Sequence, residues 1–138
     1  MPAKDTYHDV VKNALVKDGW TITDDPFHLK WGAKDMYVDL GAERILGAEK
    51  GQTKIAVEIK SFMGPSEMDD LEKAVGQFVL YGDVLAQVEP DRELFLAVDE
   101  KTYVDLFEEP IGKLLLEKQR VRLVIFEAKA EVIRQWNP

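Results

Sequence analysis

Two spacings of hydrophobic residues succeed one another along the chain, one helical and one alternating, and their order predicts a mixed arrangement of helices and strands. Asp5 is placed to cap a helix from Thr6 to about Asp18: Tyr7, Val11, Ala14, Leu15 and Asp18 recur near helical spacing, and Gly19 follows as a terminator. Trp20-Thr21-Ile22-Thr23 then alternates apolar with polar side chains and predicts a strand that ends at Asp24-Asp25-Pro26. From Phe27 to Asp35, a segment containing Trp31-Gly32, the periodicity fades, and the segment reads as a loop with short extended pieces. Between Met36 and Lys50, Tyr37-Val38-Asp39-Leu40 and Ile45-Leu46 predict one arm of a β-hairpin; Lys54 to Phe62 predicts the other, with Gly51-Gln52 between them. Helix propensity in Ala42-Glu43-Arg44-Ile45-Leu46 offers a competing helical turn, but Gly41, Gly47 and Gly51 would each weaken it.

Ser66 followed by Asp69 marks the capped start of a long second helix that runs towards Pro90 and presents Met68, Leu71, Val75, Phe78, Gly82 and Leu85 on one face. Leu94-Phe95-Leu96-Ala97-Val98 is apolar without interruption, as a central strand covered on both faces would be. Thr102 to Phe107 and Ile111 to Lys118 read as short helices separated by Pro110, and Val121 to Phe126 with Glu131 to Trp136 as a terminal strand pair. The succession predicts an α/β (α+β) fold: a mixed sheet, part antiparallel hairpin and part β-helix-β crossover, with helices on its faces.

A length of 138 residues suits a single domain spanning 1–138, and 46% hydrophobic with 32% charged residues is the balance of a chain that buries one core. The net charge of -8 opposes indiscriminate attachment to phosphate backbones or anionic lipid, although clustered carboxylates are also what a divalent cation requires. With no cysteine, disulfides, thiolate catalysis and cysteine-held zinc are excluded. No apolar signal core follows Met1-Pro2-Ala3-Lys4-Asp5 and no stretch has the length of a membrane span, so a cytoplasmic protein without a membrane partner is expected.

Alternation along the second arm sends Ile55, Val57 and Ile59 to one face and Ala56, Glu58 and Lys60 to the other. An amphipathic strand with a solvated face has this same pattern. The hairpin adds to it: with Gly51-Gln52 as a two-residue turn, Lys50 pairs with Thr53 and Glu43 faces Lys60, so that Asp39, Gly41 and Glu43 share the face of Glu58 and Lys60. Two carboxylates on neighbouring strands can hold a hard cation such as Mg²⁺, or Mn²⁺, through oxygen ligands, with a lysine beside them to orient water or offset charge on phosphorus. Phosphodiester hydrolysis is the reaction such a group would serve.

These residues, Tyr37-Val38-Asp39 and Val57-Glu58-Ile59-Lys60 between a first helix and a long second one, resemble the PD-(D/E)XK nuclease superfamily. The resemblance implies a restriction-endonuclease-like mixed β-sheet flanked by helices, Asp39 and Glu58 as metal ligands and Lys60 as the residue serving the nucleophilic water. No proline precedes Asp39, and its long separation from Glu58 leaves Glu43 as a rival for the first acidic position. Gln77 and Tyr81, four apart on one helical face, resemble a supporting Gln-x-x-x-Tyr element, and His8 or Asp9 on the first helix could stand where other members carry an acid.

More narrowly, nearly the whole chain resembles the XisH family, through Lys12-Asn13-Ala14-Leu15, Asp18-Gly19-Trp20-Thr21-Ile22, Val38-Asp39-Leu40-Gly41-Ala42-Glu43-Arg44, Val57-Glu58-Ile59-Lys60-Ser61-Phe62 and Glu109-Pro110-Ile111-Gly112. That resemblance implies an excision controlling factor in cyanobacterial DNA recombination. Its expected partners are DNA, a site-specific recombinase and an XisI-like companion protein, and the sequence leaves room for a homo-oligomer. The residues support two readings: a Mg²⁺-dependent DNA endonuclease, or a noncatalytic regulatory module on a nuclease-like fold. Trp20, Trp31, Trp136 and the phenylalanines read as core rather than as a stacking platform. Lys113, Lys118, Arg120 and Arg122 read as a solvated edge, and two histidines without paired spacing argue against zinc.

Overall fold

The computed structural model describes residues 4–45 and 52–137. Helix α1 (His8–Lys17) ends where Gly19 adopts φ +96, so that the Gly19 and Trp20 N–H groups reach back to the Val16 and Leu15 carbonyls and close the last turn. Strands β1 (Thr21–Asp24), β2 (Phe27–Trp31), β3 (Lys34–Val38), β4 (Leu40–Ile45) and β5 (Gln52–Ile59) precede the long helix α2 (Glu67–Val88), whose first turn is capped by Ser66 accepting from the Asp69 N–H at 3.2 Å. Strand β6 (Arg92–Asp99) leads into α3 (Glu100–Thr102), which widens into a π-helical turn over Tyr103–Phe107; Pro110 then opens α4 (Pro110–Glu117). Strands β7 (Leu123–Glu127) and β8 (Val132–Asn137) form the expected terminal antiparallel pair.

One six-stranded mixed sheet, ordered β1-β4-β5-β6-β7-β8, carries the architecture. Its centre is parallel, β5 to β6 to β7, and both flanks are antiparallel. Alternation then divides the core. Val57, Ile59, Phe95, Ala97, Val124 and Phe126 face α1, whereas Leu96, Val98, Leu123 and Ile125 face α2 and the π-helical turn. The apolar run of β6 is buried on both sides, as its sequence predicts. The mixed sheet flanked by helices is the expected α/β class. Among the described residues no helix is long and apolar enough to cross a membrane.

Several expectations change. Residues 27–38 form a separate two-stranded antiparallel hairpin, β2–β3, rather than a loop, with Phe27, Leu29 and Val38 buried towards α2. The arm expected to run unbroken through Tyr37-Val38-Asp39-Leu40 therefore breaks at Asp39, between β3 and β4. The β4–β5 register also differs: Ile45 pairs with Gln52 and Glu43 with Lys54, so Glu43 does not face Lys60. Gln52 is already within β5, which rules out a Gly51-Gln52 turn; Gly51 itself lies outside the described residues. Loop length sets hairpin register, so a longer connection displaces every pair while leaving the facial alternation intact. Trp31, expected in the core, shares the inward parity of Phe27 and Leu29 but sits at the tip pair of the β2–β3 hairpin and is 53% exposed.

Gly41 is where β2 crosses closest to the sheet: a Cβ there would lie 2.9 Å from the Phe27 ring and 2.7 Å from the Asp24 carboxylate. Arg92 also lies over the Phe27 ring, its guanidinium 4.5 Å from the centroid. Gly41→Ala is expected to lower the unfolding free energy by about 1–3 kcal/mol, the usual cost of overpacking, read from the shift in a urea midpoint. An unchanged midpoint would mean that the hairpin does not bear on β4.

Candidate active site

Leu40 pairs with Val57, and extending that register by one step sets Asp39 beside Glu58. Asp39 is held there by its own carboxylate, whose Oδ2 accepts the Ile59 N–H at 2.7 Å. The Lys60 N–H donates to the Ala97 carbonyl at 3.2 Å and carries the β5–β6 ladder one residue further, so Lys60 leaves the sheet at a fixed point. Asp5 adds a third fixture: Oδ1 accepts the Tyr7 N–H at 2.9 Å and Oδ2 accepts the Ser61 N–H at 3.0 Å, tying the entry of α1 to the segment just after Lys60. These groups line a cleft of about 180 Å³ together with Tyr37 from β3, Ile59, and Gln77 and Tyr81 from α2. The helical spacing of four brings Gln77 and Tyr81 to the same mouth.

Glu58 is the unusual member. A solvated strand face would leave it exposed, yet only 7% of its surface is accessible. Burial, then the hydrogen bond and charge of Asp39, push its pKa from 4.5 up to about 10, against the opposing pull of the Asp39 backbone N–H and of Lys60. Tyr81 is likewise raised by burial and by the charges of Glu58 and Asp39. Without a cation, the acid pair holds a proton at neutral pH. Two oxygen-bearing groups in that state fit a hard divalent ion, which would displace the proton and relieve the repulsion. Among the described residues no cluster of three or more His, Cys, Asp or Glu side chains is arranged for a metal.

The structure brings together Asp39, Glu58, Lys60, Gln77 and Tyr81 and leaves Glu43 and His8 elsewhere. Glu43 pairs with Lys54 across the sheet and lies 3.8 Å from Arg92, towards the far end of β5. His8 is buried with Nε2 2.7 Å from Asp25, which also takes Lys12 at 2.8 Å. Burial opposes ionisation of Asp25, but the hydrogen bonds of Lys12 and His8 hold it below the ordinary carboxylate range. His8 thus fastens α1 to the segment after β1. Sequence reasoning missed Asp5 and Tyr37 as cleft residues, because Asp5 also satisfies helix-capping patterns and Tyr37 belongs to the unexpected hairpin.

The family model described as XisH protein matches residues 1–134. The chain belongs to the XisH family. An XisH family protein from Nostoc punctiforme PCC 73102, solved by crystallography, is 38% identical, with a TM-score of 0.87 over 97% of this chain and 100% of that one. An fdxN element excision controlling factor protein from Anabaena variabilis, also a crystal structure, is 40% identical, with a TM-score of 0.87 over 98% of this chain and 100% of that one. No curated protein matches. The six-stranded sheet and its helices are therefore an XisH fold.

Because Glu58 keeps its proton on folding, the folded XisH chain binds more protons than the unfolded one between the ordinary carboxylate range and about 10. Its contribution to stability is complete at low pH and declines as pH rises through that window. In metal-free buffer Glu58→Gln is expected to exceed wild type by about 1–3 kcal/mol near pH 8, the scale of an uncompensated buried polar group. The gap should close towards about pH 5, as urea midpoints would show; a gap that ignores pH would contradict the buried proton.

Proposed function

We propose that this chain is a DNA-element excision controlling factor that acts as a Mg²⁺-dependent DNA endonuclease, in the manner of the PD-(D/E)XK nucleases it resembles. The observation that carries this reading is the burial of Glu58 against Asp39 at a cleft mouth that Lys60 also lines. The first part of the reading rests on kinship with the Anabaena variabilis protein, which is described as an fdxN element excision controlling factor. Asp39 and Glu58 would hold Mg²⁺, or Mn²⁺ in its place, and the bound ion would supply Lewis-acid charge for a phosphoryl oxygen.

The protein's own groups have separable tasks. Asp39, anchored to the Ile59 N–H, keeps one carboxylate fixed and leaves its second oxygen free of that bond. Lys60, with its backbone fixed by Ala97, would donate a hydrogen bond to a phosphate oxygen or to the attacking water and offset negative charge as the phosphorus centre changes. Gln77 and Tyr81 on the α2 wall would orient the strand being cut, because both line the cleft and carry polar groups. The net charge of -8 places the burden of DNA attraction on the ion and on local basic groups rather than on the surface as a whole.

The test is cleavage of linear, nicked and branched DNA by the purified chain in Mg²⁺ or Mn²⁺, alone and with an XisI-like companion. Cleavage is expected, falling by about 100-fold or more in Glu58→Ala and Lys60→Ala variants, as losses of acid–base or electrostatic groups commonly do. DNA left intact with every metal, companion included, would overturn the reading in favour of a noncatalytic controlling factor.

A further inference from the structure

The β2–β3 hairpin stands apart from the main sheet and carries features that core packing does not use. At its tip Trp31 is 53% exposed, and the flanking Lys30 and Lys34 are exposed as well. Neither lysine forms an ion pair among the described residues; Asp35, which pairs with Lys30 across the hairpin, is held by His28 at 2.7 Å. On the outward face His28 stacks on Tyr37, with ring centroids 5.0 Å apart and planes at 25°. Tyr37 in turn lines the Asp39–Glu58 cleft. An exposed tryptophan, with Lys30 beside it in β2 and Lys34 opposite it in β3, thus sits at the tip of a hairpin whose second strand reaches the candidate site at Tyr37.

We propose that this hairpin is a DNA-contacting arm, with Trp31 stacking on an unpaired base and Lys30 and Lys34 holding the phosphates on either side. The proposal rests on the phosphodiesterase reading of the cleft. Three lines of chemistry favour this occupant. An indole offers a flat face to any base regardless of sequence, and stacking of this kind serves bases that are out of the duplex. Lys30 and Lys34 outnumber the single acid at the tip, Asp35, and in a chain of net charge -8 that local excess suits a polyanion rather than a second copy of the same acidic chain. Trp31 pairs with Lys34 three positions along from the His28–Tyr37 pair, roughly 10 Å at strand spacing. An unpaired strand covers that distance in a few nucleotides, so a strand bound at the tip can reach the cleft without a turn of duplex intervening. The preferred DNA is therefore one with an unpaired segment beside the bond to be cut.

Trp31 is the most exposed of the three tryptophans, Trp20 being buried and Trp136 half-buried, and its own signal is the difference between wild type and Trp31→Phe. The experiment titrates the full chain in Ca²⁺ with a flap-bearing duplex and with a blunt duplex of the same sequence, and follows tryptophan fluorescence in wild type and Trp31→Phe. Quenching by the flap is expected in wild type and not in Trp31→Phe, with weaker quenching by the blunt duplex. Trp31→Ala and the double variant Lys30→Ala/Lys34→Ala should each weaken flap binding about tenfold or more at unchanged thermal stability. Trp31 indifferent to both DNAs, or variants that bind the flap as tightly as wild type, would overturn the arm. So would shielding of Trp31 from acrylamide on concentrating the protein without any response to DNA. Cleavage in Mg²⁺ by such a protein would leave the cleft reading standing while the arm falls; quenching by a flap that is never cut would leave the arm standing while the cleft reading falls.

Discussion

Carboxylates repel one another most where water is scarce, and the end of β5 sets Glu58 against Asp39 in such a place. Neither can move away. Glu58 lies in a strand paired on both sides, and Asp39 is pinned by the Ile59 N–H. Lys60 offsets part of the repulsion, but burial and the neighbouring acid outweigh it, so the pair keeps a proton at neutral pH. A fold that maintains this arrangement tolerates a local electrostatic cost that a glutamine at the same position would remove, and the proposed divalent ion would offset it.

The surrounding architecture serves to hold that junction. The break between β3 and β4 falls at Asp39, which allows its side chain to turn across to β5 while Val38 remains buried with the hairpin. Gly41 lets Phe27 lie close over β4, and Arg92 clamps Phe27 from above while its guanidinium donates to the Ile55 carbonyl at 2.8 Å. Asp5 performs the corresponding task on the opposite side by joining α1 to Ser61. Around the end of β5 the cleft is thereby bounded by three elements that meet only in the folded chain: the segment leading into α1, the base of the β2–β3 hairpin and the middle of α2.

Much of this was legible in the residues, and the losses have identifiable causes. The alternation of β5, the doubly buried run of β6, the Ser66 cap and the Gly19 terminus each depend on local chemistry, and each is present in the structure. The shared face of Asp39, Glu58 and Lys60 survived a wrong register because the displacement preserved parity; Glu43 kept the face but not the position. The β2–β3 hairpin escaped notice because its buried positions, Phe27, Leu29 and Val38, are few, and its inward parity ends in an exposed tryptophan. Least visible was the burial of Glu58. It arises from α2 and the β2–β3 hairpin covering that face of the sheet, a tertiary fact that no window of sequence contains.

The most direct test of the account is the proton balance of cation binding. Calorimetric titration of the full chain with Mn²⁺ at about pH 7, repeated in buffers of different ionisation enthalpy, reads the protons released per ion. The account predicts a single binding event that expels about one proton and disappears in Asp39→Asn and Glu58→Gln. Binding that releases no proton, or that persists in both variants, would contradict it.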